Sequence, residues 1–196
     1  MTEKDTPFSP QESIKLIQSM IEKSRNAYVD NSFYFLFWGW LIFSCCVVQF
    51  VLIQMHVPQH YYIWMLTVVG GIVSGIYGSK QSKKITTKTF VDEANEMLWT
   101  ALIFSFLVLL CINMTTKNGW QNAFGYYILL YAIGTFVTGK LLQFKPLVYG
   151  SIINFILAAI CSKFSYEFQL LIAATALLTS YIIPGHLLRI QYNKQV

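Results

Sequence analysis

Charge is what this chain has least of. Asp, Glu, Lys and Arg make up 12% of its 196 residues, against roughly a quarter in an ordinary soluble domain. The nine acids are Glu3, Asp5, Glu12, Glu22, Asp30, Asp92, Glu93, Glu96 and Glu167, and none falls in the middle of a long apolar run. A carboxylate relay for protons or sodium is therefore not encoded there. An intramembrane protease or transferase would need a polar nucleophile with a His or carboxylate partner at depth, and the runs supply none. The expectation is a protein without catalytic residues or cofactor. Cysteine is also sparse. Cys45, Cys46, Cys111 and Cys161 all lie inside apolar runs, with no CxxC or Cys/His spacing for zinc or redox work, and they read as small packing residues. The first 31 residues lack a basic start followed by an apolar stretch and a cleavage site. No removable signal peptide is expected, and the first span must direct insertion.

What is abundant is apolar: 55% hydrophobic and 16% aromatic, more than a water-soluble protein of this size can hide. Crossing about 30 Å of hydrocarbon takes about 20 helical residues, with a usable range of about 17–25. Phe33–Met55, Tyr61–Gly78, Met97–Met114, Phe124–Leu142, Pro146–Ser162 and Phe168–Pro184 meet that length. The alternation of a membrane barrel strand is absent, so the fold class is all-α, a polytopic membrane protein with six transmembrane helices. Lys4, Lys15, Lys23, Arg25, Lys80, Lys83, Lys84, Lys88, Lys140, Lys145, Arg189 and Lys194 then share one side, against Lys117 and Lys163 on the other. The positive-inside rule places both termini in the cytosol. The net charge of +5 is spread over these loops, the pattern for lipid head groups rather than nucleic acid.

Three parts follow: residues 1–31, a six-helix domain over 32–185, and a short basic tail over 186–196. In the first, Ser9-Pro10-Gln11-Glu12 carries a capping box with Pro at the first helical position. Ile14, Ile17, Met20, Ile21 and Tyr28 then fall near one face, away from Lys15, Glu22, Lys23 and Arg25. Two readings fit this amphipathic helix: lying on the inner membrane surface, or docking a cytosolic protein partner through residues 10–29. Thr89 caps the helix entering span three, and Pro184-Gly185 should stop span six.

The odd-numbered spans begin alike: Trp38-Gly39-Trp40-Leu41-Ile42, Trp99-Thr100-Ala101-Leu102-Ile103 and Tyr149-Gly150-Ser151-Ile152-Ile153. The even-numbered spans share Gly70…Ser74-Gly75, Gly134…Thr138-Gly139 and Thr175…Thr179-Ser180. Small residues four apart let helices approach closely, within one chain or between protomers of a homo-oligomer. Gly70, Ser74, Gly75, Gly134 and Gly139 are the expected packing positions. Every copy starts on the same side, so the reading is three parallel-related hairpins, not the inverted repeats of many transporters. Six spans, this length, and glycine-bearing stretches such as Tyr131-Ala132-Ile133-Gly134-Thr135-Phe136-Val137-Thr138-Gly139 resemble the small bacterial acid-resistance membrane proteins built from two-helix repeats. The resemblance covers residues 33–185. It implies a bacterial inner-membrane location and a role in envelope protection under stress, with no catalytic residues to carry over. The amphipathic N-terminal helix is an addition to that pattern.

Few polar residues enter the spans. Asn154 lies about 12 Å into span five by helical rise, and Gln49 toward the outer third of span one. Asn154, Thr138 and Thr179 either make ordinary interhelical hydrogen bonds, worth about 0.6 kcal/mol each, or wall a polar pocket at the inner leaflet. His56 and His60 are four apart, but Pro58 separates them and no third metal ligand is evident. Asn113-Met114-Thr115 matches a glycosylation acceptor too close to the membrane to be a good one. Clustering of polar groups on the inner side favours a non-enzymatic membrane scaffold or sensor. The alternative is a small channel or carrier for a neutral or amphipathic solute, which a polar stripe through the full depth would favour.

Overall fold

The computed structural model describes residues 11, 14, 15, 32–82 and 90–193. The expected N-terminal amphipathic helix and the Thr89 cap lie outside the described residues, apart from helical, exposed Gln11, Ile14 and Lys15. The described chain is all-helical. Helix α1 spans Ser32–Gln54, and a 3₁₀ turn, His60–Trp64, leads into α2, Met65–Ser82. Helix α3 is Phe90–Thr115. A second 3₁₀ turn, Gly119–Asn122, precedes α4, Ala123–Leu141, and α5, Lys145–Cys161. The last rod runs α6, Tyr166–Leu177, a π-helical turn, Leu178–Ile182, and α7, Ile183–Asn193.

Among the described residues, five helical stretches are long and apolar enough to cross a membrane: Phe33–Gln54, His60–Lys80, Phe90–Thr115, Gly119–Leu141 and Tyr166–Ile190. The sixth apolar helix, α5, has 17 residues, at the short end of the spanning range. Large apolar side chains also point outward along whole helix faces, among them Val68, Val69 and Ile72 on α2 and Phe104, Leu107 and Val108 on α3. Contiguous outward apolar faces of that extent suit lipid rather than water.

The core lies among α1, α4, α5 and the last rod, where Cys46, Ile128, Leu147, Leu170 and Tyr181 are buried together. Helix α4 turns into α5 through a Schellman closure. Phe144 N–H donates to the Gly139 carbonyl (2.9 Å) and Gln143 N–H to that of Lys140 (3.2 Å), with Gln143 left-handed at φ 52°, a place usually taken by glycine. The end of α1 closes the same way, with His56 left-handed at φ 57° and Val57 N–H on the Leu52 carbonyl at 3.0 Å.

Pro184-Gly185 does not stop the last helix, which continues to Asn193. Proline in a helix interior removes the bond to the carbonyl four residues back and crowds it. The π turn just before it relieves both demands, with Ile183 N–H reaching the Leu178 carbonyl, five residues back.

The expected packing glycines divide. A Cβ on Gly134 would meet Leu102 at 2.6 Å and Trp99 at 3.2 Å, and one on Gly139 would meet Val148 at 2.9 Å. A Cβ on Gly70 would strike Leu41 and approach Trp38 at 3.7 Å. Gly70 and Gly134 thus receive the same pair of side chains, Trp38 with Leu41 and Trp99 with Leu102, from the preceding helix. Gly75 differs, since nothing lies within 4 Å of where its Cβ would be. Ser74 keeps its hydroxyl buried without a partner, while its carbonyl accepts from Tyr34 at 3.5 Å. Helix α2 is peripheral, Gly70 being its one buried described residue.

Candidate functional site

Among the described residues, three clusters of polar side chains join neighbouring elements through more than one side-chain hydrogen bond. The largest centres on Gln49, which is fully buried. Helix α1 carries it inward one turn past Cys45 and Cys46, and the 3₁₀ turn after Pro58 brings His60 and Trp64 back over it. Its Oε1 accepts from Trp64 Nε1 at 2.6 Å. Its Nε2 lies 3.0 Å from His60 Nδ1 and donates to the Tyr166 hydroxyl at 3.1 Å. Phe124 of α4 closes this layer, its ring centroid 6.0 Å from Trp64 and 5.5 Å from Tyr166. One carboxamide therefore joins α1, the 3₁₀ turn and α6.

Three more carboxamides act at the same end, the one bearing Lys117 and Lys163. Gln54 Nε2 donates to Glu167 Oε2 at 2.9 Å. Buried Gln169 donates to the Gln121 carbonyl (2.7 Å) and the Phe164 carbonyl (2.9 Å), while its own Oε1 has no partner. Asn113 is buried with its amide 3.4 Å from the Tyr127 hydroxyl, which occupies the group a glycan would need.

The second cluster ties α3 to α4. Asn95, Trp99 and Leu102 fall on one face of α3 by their spacing, as do Gly134 and Thr138 on α4. Trp99 Nε1 donates to Thr138 Oγ1 at 3.1 Å, and Thr138 donates to Asn95 Oδ1 at 2.7 Å. The third ties α5 to the π turn: Asn154 Nδ2 donates to Ser180 Oγ at 2.8 Å, and Asn154 Oδ1 lies 3.2 Å from the Thr179 hydroxyl. Gly150, one turn earlier, lets α5 settle directly on this turn, where a Cβ would run into the Thr179 carbonyl.

Asn154 and Thr179 lie together where α5 meets the π turn. Thr138 belongs instead to the α3–α4 pair, so the three do not line one recess. Their polar atoms bond to side chains on neighbouring elements or to backbone. Polar groups are not confined to the lysine-rich end, because Gln49, His60, Gln169 and Asn113 sit toward the other. His56 is exposed and left-handed, and His60 faces Gln49; among the described residues no three His, Cys, Asp or Glu side chains gather to hold a metal.

Asn95, Ser180, His60, Trp64, Tyr166 and Gln169 were not singled out as a site from sequence. Gln49 offered the only signal, an amide deep in an otherwise apolar run. Its partners lie 11, 15 and 117 positions away, beyond the reach of any periodicity. No family model, curated protein or solved structure matches the chain.

Proposed function

We propose that the chain is a non-enzymatic scaffold or sensor of a bacterial inner membrane. In this reading six spans form three parallel hairpins, both termini are cytosolic, and residues 10–29 pass the state of the bundle to a cytosolic protein. The observation that carries it is how the interior polarity is used. Gln49, Asn95, Thr138, Asn154 and Ser180 are engaged with side chains on neighbouring elements. Each cluster joins a specific pair or trio of elements, which suits a bundle whose helix arrangement is itself the output. The resemblance in the repeats adds stress at the envelope as the setting.

The test is photocrosslinking in cells from positions 14, 17 and 21. A discrete protein adduct, lost when the apolar face of residues 10–29 is made polar, supports the reading; adducts to lipid alone overturn it.

One observation favours the channel or carrier instead. Polar groups occupy both ends of the bundle, and Gln169 Oε1 is buried and unpaired, so interior polarity extends beyond the lysine-rich end. Solute-dependent swelling of proteoliposomes containing the pure protein would establish that alternative.

A further inference from the structure

We propose that His60 and Gln49 form a proton-operated latch, in which protonation of His60 breaks the bridge holding the His60–Trp64 turn and Tyr166 to α1. The latch deepens the sensor reading and rests on it, by naming the stimulus as acidity on the side bearing Lys117 and Lys163.

The argument is an accounting of donors. An indole N–H can only donate, so the 2.6 Å contact between Trp64 Nε1 and Gln49 requires the carboxamide oxygen to face Trp64. The NH₂ group must then face His60 and Tyr166, at 3.0 and 3.1 Å. Both of its hydrogens are engaged. His60 Nδ1 must therefore be the bare nitrogen, and the ring is neutral with its proton on Nε2. An imidazolium carries a hydrogen on both nitrogens. Protonation would set two donors against each other across 3.0 Å.

Turning the Gln49 carboxamide over does not rescue the cluster. It offers oxygen to His60 and Tyr166 but points NH₂ at the Trp64 N–H. Gln49 is 0% exposed, so a hydrogen of its carboxamide left without an acceptor has no water to turn to, and such a buried donor is costly. Every arrangement with a charged His60 loses one of the three contacts.

The surroundings determine what else could answer the charge. Along α1 the titratable groups of this layer are the Cys45 and Cys46 thiols, and His56 follows in the connecting turn. Tyr61, beside His60, presents its ring edge-on at 5.9 Å. Helix α4 contributes Tyr127, and α6 contributes Tyr166 and Glu167. Helix α2 carries Tyr77 and Lys80 at its opposite end. Glu167 is the only carboxylate among the described residues at this end, and it already accepts from Gln54 at 2.9 Å. Of these groups, only the imidazoles ordinarily change charge between pH 5 and 8. The latch is closed while His60 is neutral and opens when the ring takes a second proton.

The experiment uses the full chain in nanodiscs, with ¹⁹F-labelled tryptophan and ¹⁵N-labelled histidine followed by NMR from pH 8 to pH 5. Trp64 is assigned by Trp64→Phe, and the three histidines by single substitution. Expected are a His60 ring with its proton on Nε2 at pH 8 and a single-step change at Trp64 that follows His60 protonation. A proton on Nδ1 at pH 8, or a Trp64 signal unmoved while His60 titrates, overturns the latch. Gln49→Glu supplies a third test. A carboxylate accepts from Trp64, Tyr166 and an imidazolium together, so the Trp64 step should vanish or reverse. An unchanged step in a folded Gln49→Glu protein also counts against the proposal, and if that variant does not fold the wild-type tautomer decides alone. None of these readouts depends on a cytosolic partner, so the latch and the scaffold reading can fail separately.

Discussion

Replacing Gly150 with alanine and Gly75 with alanine should change stability in opposite directions. A Cβ at position 150 would collide with the Thr179 carbonyl oxygen and lie 3.0 Å from Ser180 Cα. These are backbone atoms of the π turn, so no side chain can swing aside and the two helices must separate. Overpacking of this kind costs about 1–3 kcal/mol, and contact with backbone places Gly150 at the upper end. Alanine recovers about 1 kcal/mol of helix propensity, leaving a net loss of about 1–2 kcal/mol. At position 75 nothing lies within 4 Å, so only the propensity gain remains, up to about 1 kcal/mol. Thermal unfolding in one mild detergent, followed by tryptophan emission, compares the two. A chain of this size shifts by about 2–4 °C per kcal/mol, so the variants should melt several degrees apart. Equal melting would refute the assignment of the α5 crossing. Marked destabilisation at position 75 would show that α2 is covered by something, a second copy of the chain being the natural occupant.

Other outcomes follow from the same geometry. Gly134→Leu should destabilise by at least about 1–3 kcal/mol, because Leu102 and Trp99 already fill that space, while Leu130→Ile on the same helix should be mild; parity between them in a melting experiment would place Gly134 against lipid. Gln143→Gly should raise the unfolding midpoint by relieving a left-handed backbone that costs a non-glycine residue about 1–2 kcal/mol, and a drop would mean the Gln143 side chain contributes more than its backbone costs. Under the proposed topology, a cysteine placed at position 117 should react with an impermeant thiol reagent in intact cells and one at position 83 only after lysis; the reverse pattern would invert the orientation.

Legibility in the sequence followed from the range of each interaction. Each of the six apolar runs falls on a helix, because contiguous apolar composition is a local signal, but the bounds are uneven: α3 starts seven residues before the third run, the last rod continues nine residues past the sixth, and the second begins with a 3₁₀ turn. The aromatic-small-aliphatic repeat was also informative, since Trp38 with Leu41 and Trp99 with Leu102 meet Gly70 and Gly134 in matching fashion. Its second member behaves less regularly. Gly39 and Gly150 both press on the π turn, at Tyr181 and Thr179 respectively, whereas Thr100 is exposed. Gly39 and Gly75 look equally available for packing in the sequence, yet one is buried and the other open. Which face of a helix meets a neighbour depends on the arrangement of all the others, and low hydrophobic asymmetry in a lipid-facing helix erases the usual cue. The Gln49 cluster was illegible for a related reason. Its four members come from three elements, and only one of them sits deep enough in a span to look anomalous.

The π turn is met by side chains or backbone of α1, α3, α4 and α5. Gly39 of α1 meets Tyr181 and Ile182, Gly150 and Asn154 of α5 meet Thr179 and Ser180, and the rings of Tyr131 and Trp99 stand edge-on to Tyr181 at 5.4 and 6.3 Å. A π turn amounts to one residue more than an α-helix needs, so both flanking segments keep their positions while the chain between them bulges. Its position before Pro184 links the bulge to a missing N–H. Removing Leu178, a half-buried residue within the bulge, would return the segment to α-helix but place Pro184 in a regular interior, where it costs about 3 kcal/mol. Deletion of Leu178 should therefore destabilise strongly on its own, and less when combined with Pro184→Ala, although Pro184→Ala alone should be nearly neutral. That pattern is a favourable coupling between two sites six positions apart, and a double-mutant cycle on unfolding in detergent measures it. Strict additivity would mean that the bulge is held by Gly39, Gly150 and Asn154 alone, and that the proline merely tolerates it.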